Sequence, residues 1–245
     1  MKRIMLTIAY DGTNYCGWQV QPNGITIEEV LNRKLCKLTG EDIVIIGASR
    51  TDSGVHALGN VAVFDTETTI PPERLSYALN RCLPEDIVIM KSEEVPLDFH
   101  PRYRKCSKTY EYHIINADVL IPTKRLTNYF VSYRLNVDAM RQGAKYLVGT
   151  HDFSSFCNVR TDVENTVRTI TALDIIENGN EIVVRITGTG FLYHMVRIIV
   201  GTLIRVGRGF YEPEKMKEII EAKNRKAAGV TAPAQGLMLM EIDYE

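Results

Sequence analysis

The stretch IIGASRTDSGVHALGNVAVF, residues 45–64, places a loop of small and polar residues between two apolar runs. The apolar runs predict strands at residues 43–48 and 60–65. Glycine, serine, threonine and aspartate are common in such a connection, because they tolerate unusual backbone angles and bond to nearby amides. The stretch therefore predicts two successive strands joined by a polar loop.

The same loop carries two charged side chains, Arg50 and Asp52. They are two positions apart, so in extended chain both point to one face. Gly47 and Gly54 leave room for another group to approach the backbone. A lone aspartate in a loop is more often a turn residue than a catalyst, so the spacing alone keeps both interpretations open.

A helix and further strands surround this stretch on both sides. Thr26 and Glu29 form a capping box, a 3.6-residue apolar period follows, and Gly40 ends the predicted helix. Strands are predicted at residues 3–10 and 87–93, with a second helix after Pro71 and Pro72. The order β-α-β-β-α-β is that of the ferredoxin-like unit.

The second half of the chain repeats this order. Its predicted elements are a strand at 109–115, a helix at 137–148, a hairpin at 166–188, helices at 192–206 and 214–222, and a last strand at 237–244. We therefore predict an α+β protein of two tandem ferredoxin-like βαββαβ halves, residues 1–104 and 105–245. The halves are expected to form antiparallel sheets with helices on one face and a central basic cleft.

Composition and missing motifs exclude several classes of protein. The chain is 45% hydrophobic and 24% charged, as is usual for a soluble globular protein, and the apolar stretch 195–206 is too short to cross a bilayer. Five cysteines without a C-x-x-C pair and five histidines without ligand spacing predict no metal site. Phosphate-loop, dinucleotide-loop, zinc-deaminase and RNA-recognition signatures are also missing. We expect a cytoplasmic protein without a metal or a membrane segment.

Charge is distributed unevenly although the net charge is −1. Residues 1–100 carry 9 Lys and Arg against 14 Asp and Glu, whereas residues 101–245 carry 20 against 16. The excess is densest in HPRYRKCSKTYEYH, residues 100–113, where cations alternate with tyrosines. Such alternation suits a nucleic-acid surface, and it also suits a solvated edge strand.

The candidates for chemistry are a carboxylate, arginines and tyrosines. An aspartate can act as a covalent nucleophile toward a sugar or an electrophilic ring carbon while it stays ionised. Because burial raises a carboxyl pKa, a nearby guanidinium is expected, and Arg197 in the apolar stretch FLYHMVRIIVGTLIRVG is the candidate. A core salt bridge is the structural alternative for Arg197, at a high desolvation cost. Tyr110 is the candidate ring for stacking on a base.

Six motifs distributed along nearly the whole chain resemble those of the tRNA pseudouridine synthase A (TruA) family. They are YDGTNYCGWQVQ, GASRTDSGVHA, SKTYEYHI, GTHDFSSFC, GFLYHMVRIIVGTLIRVG and APAQGLMLMEIDY. The resemblance implies isomerisation of uridine to pseudouridine at positions 38, 39 and 40, in the anticodon arm of tRNA. It also implies a flipped-out base, a homodimer, and a reaction without metal or cofactor.

The resemblance also implies roles for particular residues. Asp52 in RTDSGVH matches the family's nucleophile, and Tyr110 in KTYEY matches the tyrosine that packs on the target uracil. Arg197 in HMVR matches the basic partner of the aspartate, and Arg50 matches the arginine that holds the target nucleotide out of the stack. A catalytically inactive tRNA-binding protein or RNA chaperone of the same fold is the alternative.

Three residues depart from the family pattern. Ser49 and Ser53 replace other small residues around RTD, and Met238 stands where an aromatic residue is common. We expect the two serines to affect only fine positioning, and Met238 to affect how the pocket closes.

Overall fold

The computed structural model describes residues 1–158 and 164–245. Its strands are β1 (Lys2–Tyr10), β2 (Ile46–Gly47), β3 (His56–Thr66), β4 (Ile87–Val95), β5 (Cys106–Asn116), β6 (Tyr129–Val131), β7 (Gly149–Asp152), β8 (Val167–Asn178), β9 (Glu181–Gly188) and β10 (Leu237–Tyr244). Its α-helices are α1 (Ile27–Thr39), α2 (Leu75–Asn80), α3 (Val137–Lys145), α4 (Met195–Gly207) and α5 (Lys215–Ala222). The protein is therefore of mixed α+β class, as predicted.

The chain divides into two compact units. Unit 1 comprises Met1–Cys106 and Met238–Glu245, and unit 2 comprises Ser107–Leu237. This division differs from the predicted one at the last strand, which was assigned to the C-terminal half. The physical reason is that β10 pairs with β3, with Met238 opposite His56 and Leu239 opposite Ala57.

In unit 1 the strands follow the order β4-β1-β3-β10, and the short strand β2 also pairs with β3. Alternate residues of β1 are fully buried, including Ile4, Leu6 and Ile8, because one face of the strand lies on the core. Helix α1 begins as predicted, with the amide of Glu29 donating to the hydroxyl of Thr26, and ends at a left-handed Gly40. The predicted order β-α-β-β-α-β is thus present in the first part of the chain.

Strand β2 is shorter than the six residues predicted. The backbone N–H of Ile45 donates to Oδ1 of Asn32, 2.9 Å away, and the N–H of Ile43 lies 3.3 Å from Sγ of Cys36. Side chains of α1 therefore satisfy donors that a longer strand would have given to a neighbouring strand.

In unit 2 the strands follow the order β5-β9-β8-β7, and these pairs are antiparallel. Strand β6, which was not predicted, pairs parallel with β5. Strand β10 is likewise parallel to β3 in unit 1. The prediction of purely antiparallel sheets was therefore wrong. Strands that pair in parallel need a long connection, and both of these pairs join segments separated along the chain.

Within the part of the chain that the structure describes, no helix has the length and apolar character needed to span a membrane.

An ion pair joins β1 and β3 across the sheet of unit 1. Nε and Nη2 of Arg3 donate to the two carboxylate oxygens of Asp65, over 2.7 and 2.8 Å, and Nη1 donates to the carbonyl of Phe99 over 2.9 Å. The two residues face each other in the strand register. The hydrogen bond from Arg3 lowers the pKa of the Asp65 carboxyl.

We predict that Asp65→Asn lowers the free energy of unfolding at neutral pH but has little effect in strong acid. A carboxyl whose pKa is lower in the folded state stabilises the fold above its unfolded value of about 3.9, and this stabilisation is lost as the pH falls through the folded value. Urea unfolding at several pH values measures the difference from wild type. The exposed Asp174→Asn is the charge-matched control, and a difference independent of pH would contradict the assignment.

Candidate active site

Residues 48–55, here called the Asp52 loop, connect β2 to β3 in unit 1. Arg50 is exposed, and its Nη1 lies 3.4 Å from Oε1 of Gln19. Asp52 is half-buried, and its backbone carbonyl accepts a hydrogen bond from the amide of Val55 over 3.1 Å. The loop thus carries both predicted residues, with Asp52 at the start of a tight turn and Arg50 two positions before it.

The Asp52 loop packs against the preceding loop, residues 11–18, through backbone groups. The amide of Trp18 donates to the carbonyl of Thr51 over 3.0 Å, and the amide of Gly54 donates to the carbonyl of Tyr15 over 3.3 Å. The hydroxyl of Ser53 donates to the same Tyr15 carbonyl over 3.1 Å. Asp52 is therefore flanked on both sides by residues bonded to the earlier loop.

Glycines make this close approach possible. A Cβ on Gly12 would lie 2.0 Å from the carbonyl oxygen of Val55, and one on Gly17 would lie 2.6 Å from that of Thr51. Gly17 also has a φ of +85°, which L side chains rarely adopt. Gly12 and Gly17 were not predicted as functional residues, although both lie in the motif YDGTNYCGW.

The space beside Gly47 is filled by the protein itself. A Cβ there would lie 2.3 Å from Nε1 of the buried Trp18 ring. Gly47 thus leaves room for another group to approach the backbone, as expected, and that group is the indole ring of Trp18.

A buried histidine, His56, follows the Asp52 loop as the first residue of β3. Nδ1 of His56 lies 3.1 Å from both the amide of Gly12 and Oδ1 of Asp11. Nδ1 can accept from Gly12 only when unprotonated, and can donate to Asp11 only when protonated. Burial raises the pKa of Asp11, but hydrogen bonds from Thr13 and the proximity of His56 outweigh it, so the net shift is downward.

In unit 2, Tyr110 lies on β5, opposite Ile186 of β9. Its side chain is 8% exposed, and its ring meets that of Phe191 edge-on, with centroids 5.2 Å apart and planes at 86°. The ring is therefore held in a fixed orientation by its neighbour.

Arg197 lies in the first turn of α4, also in unit 2. Its Nε donates to the carbonyl of Ala232 over 2.8 Å, and the amide of Ala232 donates back to the carbonyl of Arg197 over 3.0 Å. Burial raises the pKa of Tyr112, and the positive charge of Arg197 opposes that rise. The hydroxyl of Tyr112 donates to the carbonyl of Pro233 over 2.7 Å.

The segment that holds Arg197, residues 229–236, crosses α4 at very short range. A Cβ on Gly201 would lie 1.9 Å from the carbonyl oxygen of Val230. The amide of Gly229 donates to the hydroxyl of Thr202, which donates to the carbonyl of Ile198. These contacts fix the segment on the helix that carries Arg197.

The basic segment 100–108 contains residues that bond to other parts of the fold and residues that are exposed. Nε of Arg102 donates to the carbonyl of Gly47 over 2.8 Å, and Lys105 pairs with Glu245. The ring of Tyr103 is 85% exposed and stacks on His100, with centroids 4.2 Å apart. Among the described residues, no group of three or more His, Cys, Asp or Glu side chains could hold a metal ion.

Comparison with known proteins identifies the family. A model described as tRNA pseudouridine synthase matches residues 6–104 and 144–245, which include Arg50, Asp52 and Arg197. The chain belongs to this family. It is 48% identical over 244 residues to tRNA pseudouridine synthase A of Thermoanaerobacter sp. (strain X514), covering 100% of both chains. The corresponding identity is 49% for Acetivibrio thermocellus and 47% for Brevibacillus brevis, again over the full length of both chains.

We predict that Gly17→Ala destabilises the protein more than Gly40→Ala. Gly40 has a similar φ of +76° but nothing within 4 Å of an added Cβ, so its substitution measures only the backbone strain. At Gly17 the methyl also meets the Thr51 carbonyl, which should cost roughly 1–3 kcal/mol more. Denaturant unfolding measures both variants, and equal losses would contradict the proposed close packing.

Proposed function

We propose that this protein isomerises uridine to pseudouridine at positions 38, 39 and 40 of the tRNA anticodon arm. The observation that carries the activity is the full-length identity of 48–49% with bacterial tRNA pseudouridine synthase A proteins. The three positions rest on the motif resemblance. The protein is a tRNA pseudouridine synthase A, an isomerase.

The reaction breaks the bond between uracil N1 and ribose C1′ and forms one between C5 and C1′. The proton on C5 leaves, and N1 gains a proton, so substrate and product have the same composition and oxidation state. We propose Asp52 as the nucleophile that holds the nucleoside while the ring is repositioned, by attack on either the uracil ring or the ribose. The rigid backbone around Asp52 supports this role, because a nucleophile must meet its target in a fixed geometry.

We also propose roles for three further residues. Arg50, exposed beside Asp52, would contact the extruded nucleotide, since a base must leave its stack before chemistry can occur on it. Tyr110, oriented by Phe191, would stack on the uracil. Arg197, with Nε fixed by Ala232, would supply a cation that favours an ionised carboxylate.

The finer points of architecture, partner and location are also part of the proposal. The order β1-α1-β2-β3-α2-β4 supports a ferredoxin-like first half, and the resemblance supports a second one. The resemblance likewise supports a homodimer that acts on tRNA. The bacterial relatives support a site of action in the cytoplasm.

We predict that Asp52→Asn abolishes pseudouridine formation, with folding and tRNA affinity nearly unchanged. The amide keeps the size of the side chain but lacks the nucleophilic charge. Release of tritium from tRNA labelled at uracil C5 measures the reaction, and Asp174→Asn controls for the lost charge. Retention of a tenth of the wild-type rate would exclude Asp52 as nucleophile, and no release by the wild type would favour an inactive tRNA-binding protein.

We predict that Tyr110→Ala weakens binding of the flipped base by about 1–3 kcal/mol, whereas Tyr110→Phe binds tRNA normally. Phenylalanine keeps the ring and its edge contact with Phe191, so it is the matched variant for the hydroxyl alone. If the hydroxyl accepts the C5 proton, directly or through water, Tyr110→Phe should also turn over slowly. Filter binding and single-turnover tritium release measure both effects, and wild-type behaviour of Tyr110→Ala would place the residue outside the site.

A further inference from the structure

A chain of polar side chains lies beneath the Asp52 loop, in the core of unit 1. It consists of Tyr10 at the end of β1, Asn60 on β3, and Thr51 within the loop, which are 5%, 0% and 8% exposed. Oη of Tyr10 and Oγ1 of Thr51 lie 2.7 Å apart. Nδ2 of Asn60 donates to Oη of Tyr10 over 3.2 Å and to the carbonyl of Ser49 over 3.1 Å.

The orientation of the Asn60 amide follows from its neighbours. Its Oδ1 accepts from the backbone amide of Val61 over 2.9 Å, which requires an oxygen at that position. Both hydrogens of Nδ2 are then committed, one to the Ser49 carbonyl and one to the Tyr10 hydroxyl. This arrangement uses both donors of the amide and leaves the Tyr10 hydroxyl hydrogen-bonded on two sides.

The two ends of this chain meet the backbone on either side of Arg50. One end fixes the carbonyl of Ser49, and the other fixes the side chain of Thr51, the residue before Asp52. Connected hydrogen bonds between buried groups strengthen one another and allow few alternative geometries. The hydrogen-bonded side chains therefore fix residues 49–51, and the close contacts at Gly12 and Gly17 fix residues 51–55.

We propose that Tyr10, Thr51 and Asn60 are positioning residues that set the direction of the Asp52 carboxylate. This inference rests on the proposed role of Asp52 as nucleophile. None of the three needs to touch the substrate. A nucleophile displaced by about 1 Å can lose roughly a hundredfold in rate, so loss of one link is expected to slow the chemical step rather than weaken tRNA binding.

A double-mutant cycle between Tyr10 and Thr51 tests the proposal. Tyr10→Phe and Thr51→Val each remove one hydroxyl of the shared contact and keep the shape of the side chain. We expect each to lower the single-turnover rate at saturating tRNA by roughly 10- to 100-fold, with tRNA affinity unchanged within about threefold. The double variant should be no slower than the slower single variant, because both lose the same link. Thr51→Ser, which keeps the hydroxyl, should retain the rate.

Matched controls separate positioning from stability. Tyr244→Phe removes another hydroxyl of unit 1, which donates to the carbonyl of Pro101 over 2.9 Å away from the loop. Asn116→Asp is the control for Asn60→Asp, because each substitution removes two hydrogen bonds donated by a side-chain amide. In Asn116 these bonds go to the carbonyls of Val131 and Tyr133. All variants are assayed at least 10 °C below their measured melting temperature. The controls should lose stability but keep the wild-type rate, whereas Asn60→Asp should be slow.

Three results would overturn the proposal. They are a wild-type rate in Tyr10→Phe, multiplicative losses in the double variant, and equal slowing of the two controls. If Thr51→Val fails to fold, Tyr10→Phe and Asn60→Asp test the proposal by the same comparison of single-turnover rate and tRNA affinity. Failure of the proposed function is recognised separately, because the wild type would then release no tritium. Failure of the proposed role of Asp52 would show as an active Asp52→Asn variant.

Discussion

The position of Asp52 depends on contact between two stretches of backbone that are distant in sequence. The loop consists mainly of small residues, and its amides and carbonyls supply many of the contacts that hold it. Those groups can pair with residues 11–18 only at a separation that leaves no space for a Cβ, as Gly12 and Gly17 show. The loops that carry the motifs YDGTNYCGW and GASRTDSGVHA therefore pack together and depend on each other for their conformation.

The end of the chain belongs to unit 1, as these two loops do. Strand β10 lies beside β3, and a Cβ on Gly59 would lie 2.5 Å from the carbonyl oxygen of Met240. The hydroxyl of Tyr244 donates to Pro101, and its ring meets that of Phe99 edge-on at 5.1 Å. Unit 1 is thus complete only when the last residues have joined it, and such long-range pairing is characteristic of slow-folding topologies.

Local patterns in the sequence predicted the elements whose causes are local. The first helix illustrates this, since its N-cap Thr26 and its terminal Gly40 directly adjoin the helix. The short β2, the parallel pairing of β10 and the existence of β6 were not predictable in this way, because distant partners determine them. The class, the main helices and most strands could therefore be read from the sequence, but not the pairing that joins them.

The candidate site divides in the same manner. Arg50 and Asp52 were predicted from their spacing and from the resemblance. Tyr110 and Arg197 were predicted from chemistry and from the resemblance. The supporting residues Tyr10 and Asn60 were not predicted, because the hydrogen bond between them depends on strand register. A shift in the β1–β3 pairing after Ile8 places Tyr10 opposite Ala57 and beside the loop, and nothing in the local sequence marks that irregularity.

Both units hold their candidate charged residues through backbone groups set by glycine. In unit 1 the glycines lie in the neighbouring loop and bring amides to the residues around Asp52. In unit 2 Gly201 lies on the helix itself and admits the segment whose Ala232 carbonyl binds Nε of Arg197. A backbone carbonyl that accepts from a guanidinium offsets part of the cost of its desolvation. The carbonyl of Ala232 therefore fixes the direction of the Arg197 guanidinium on α4.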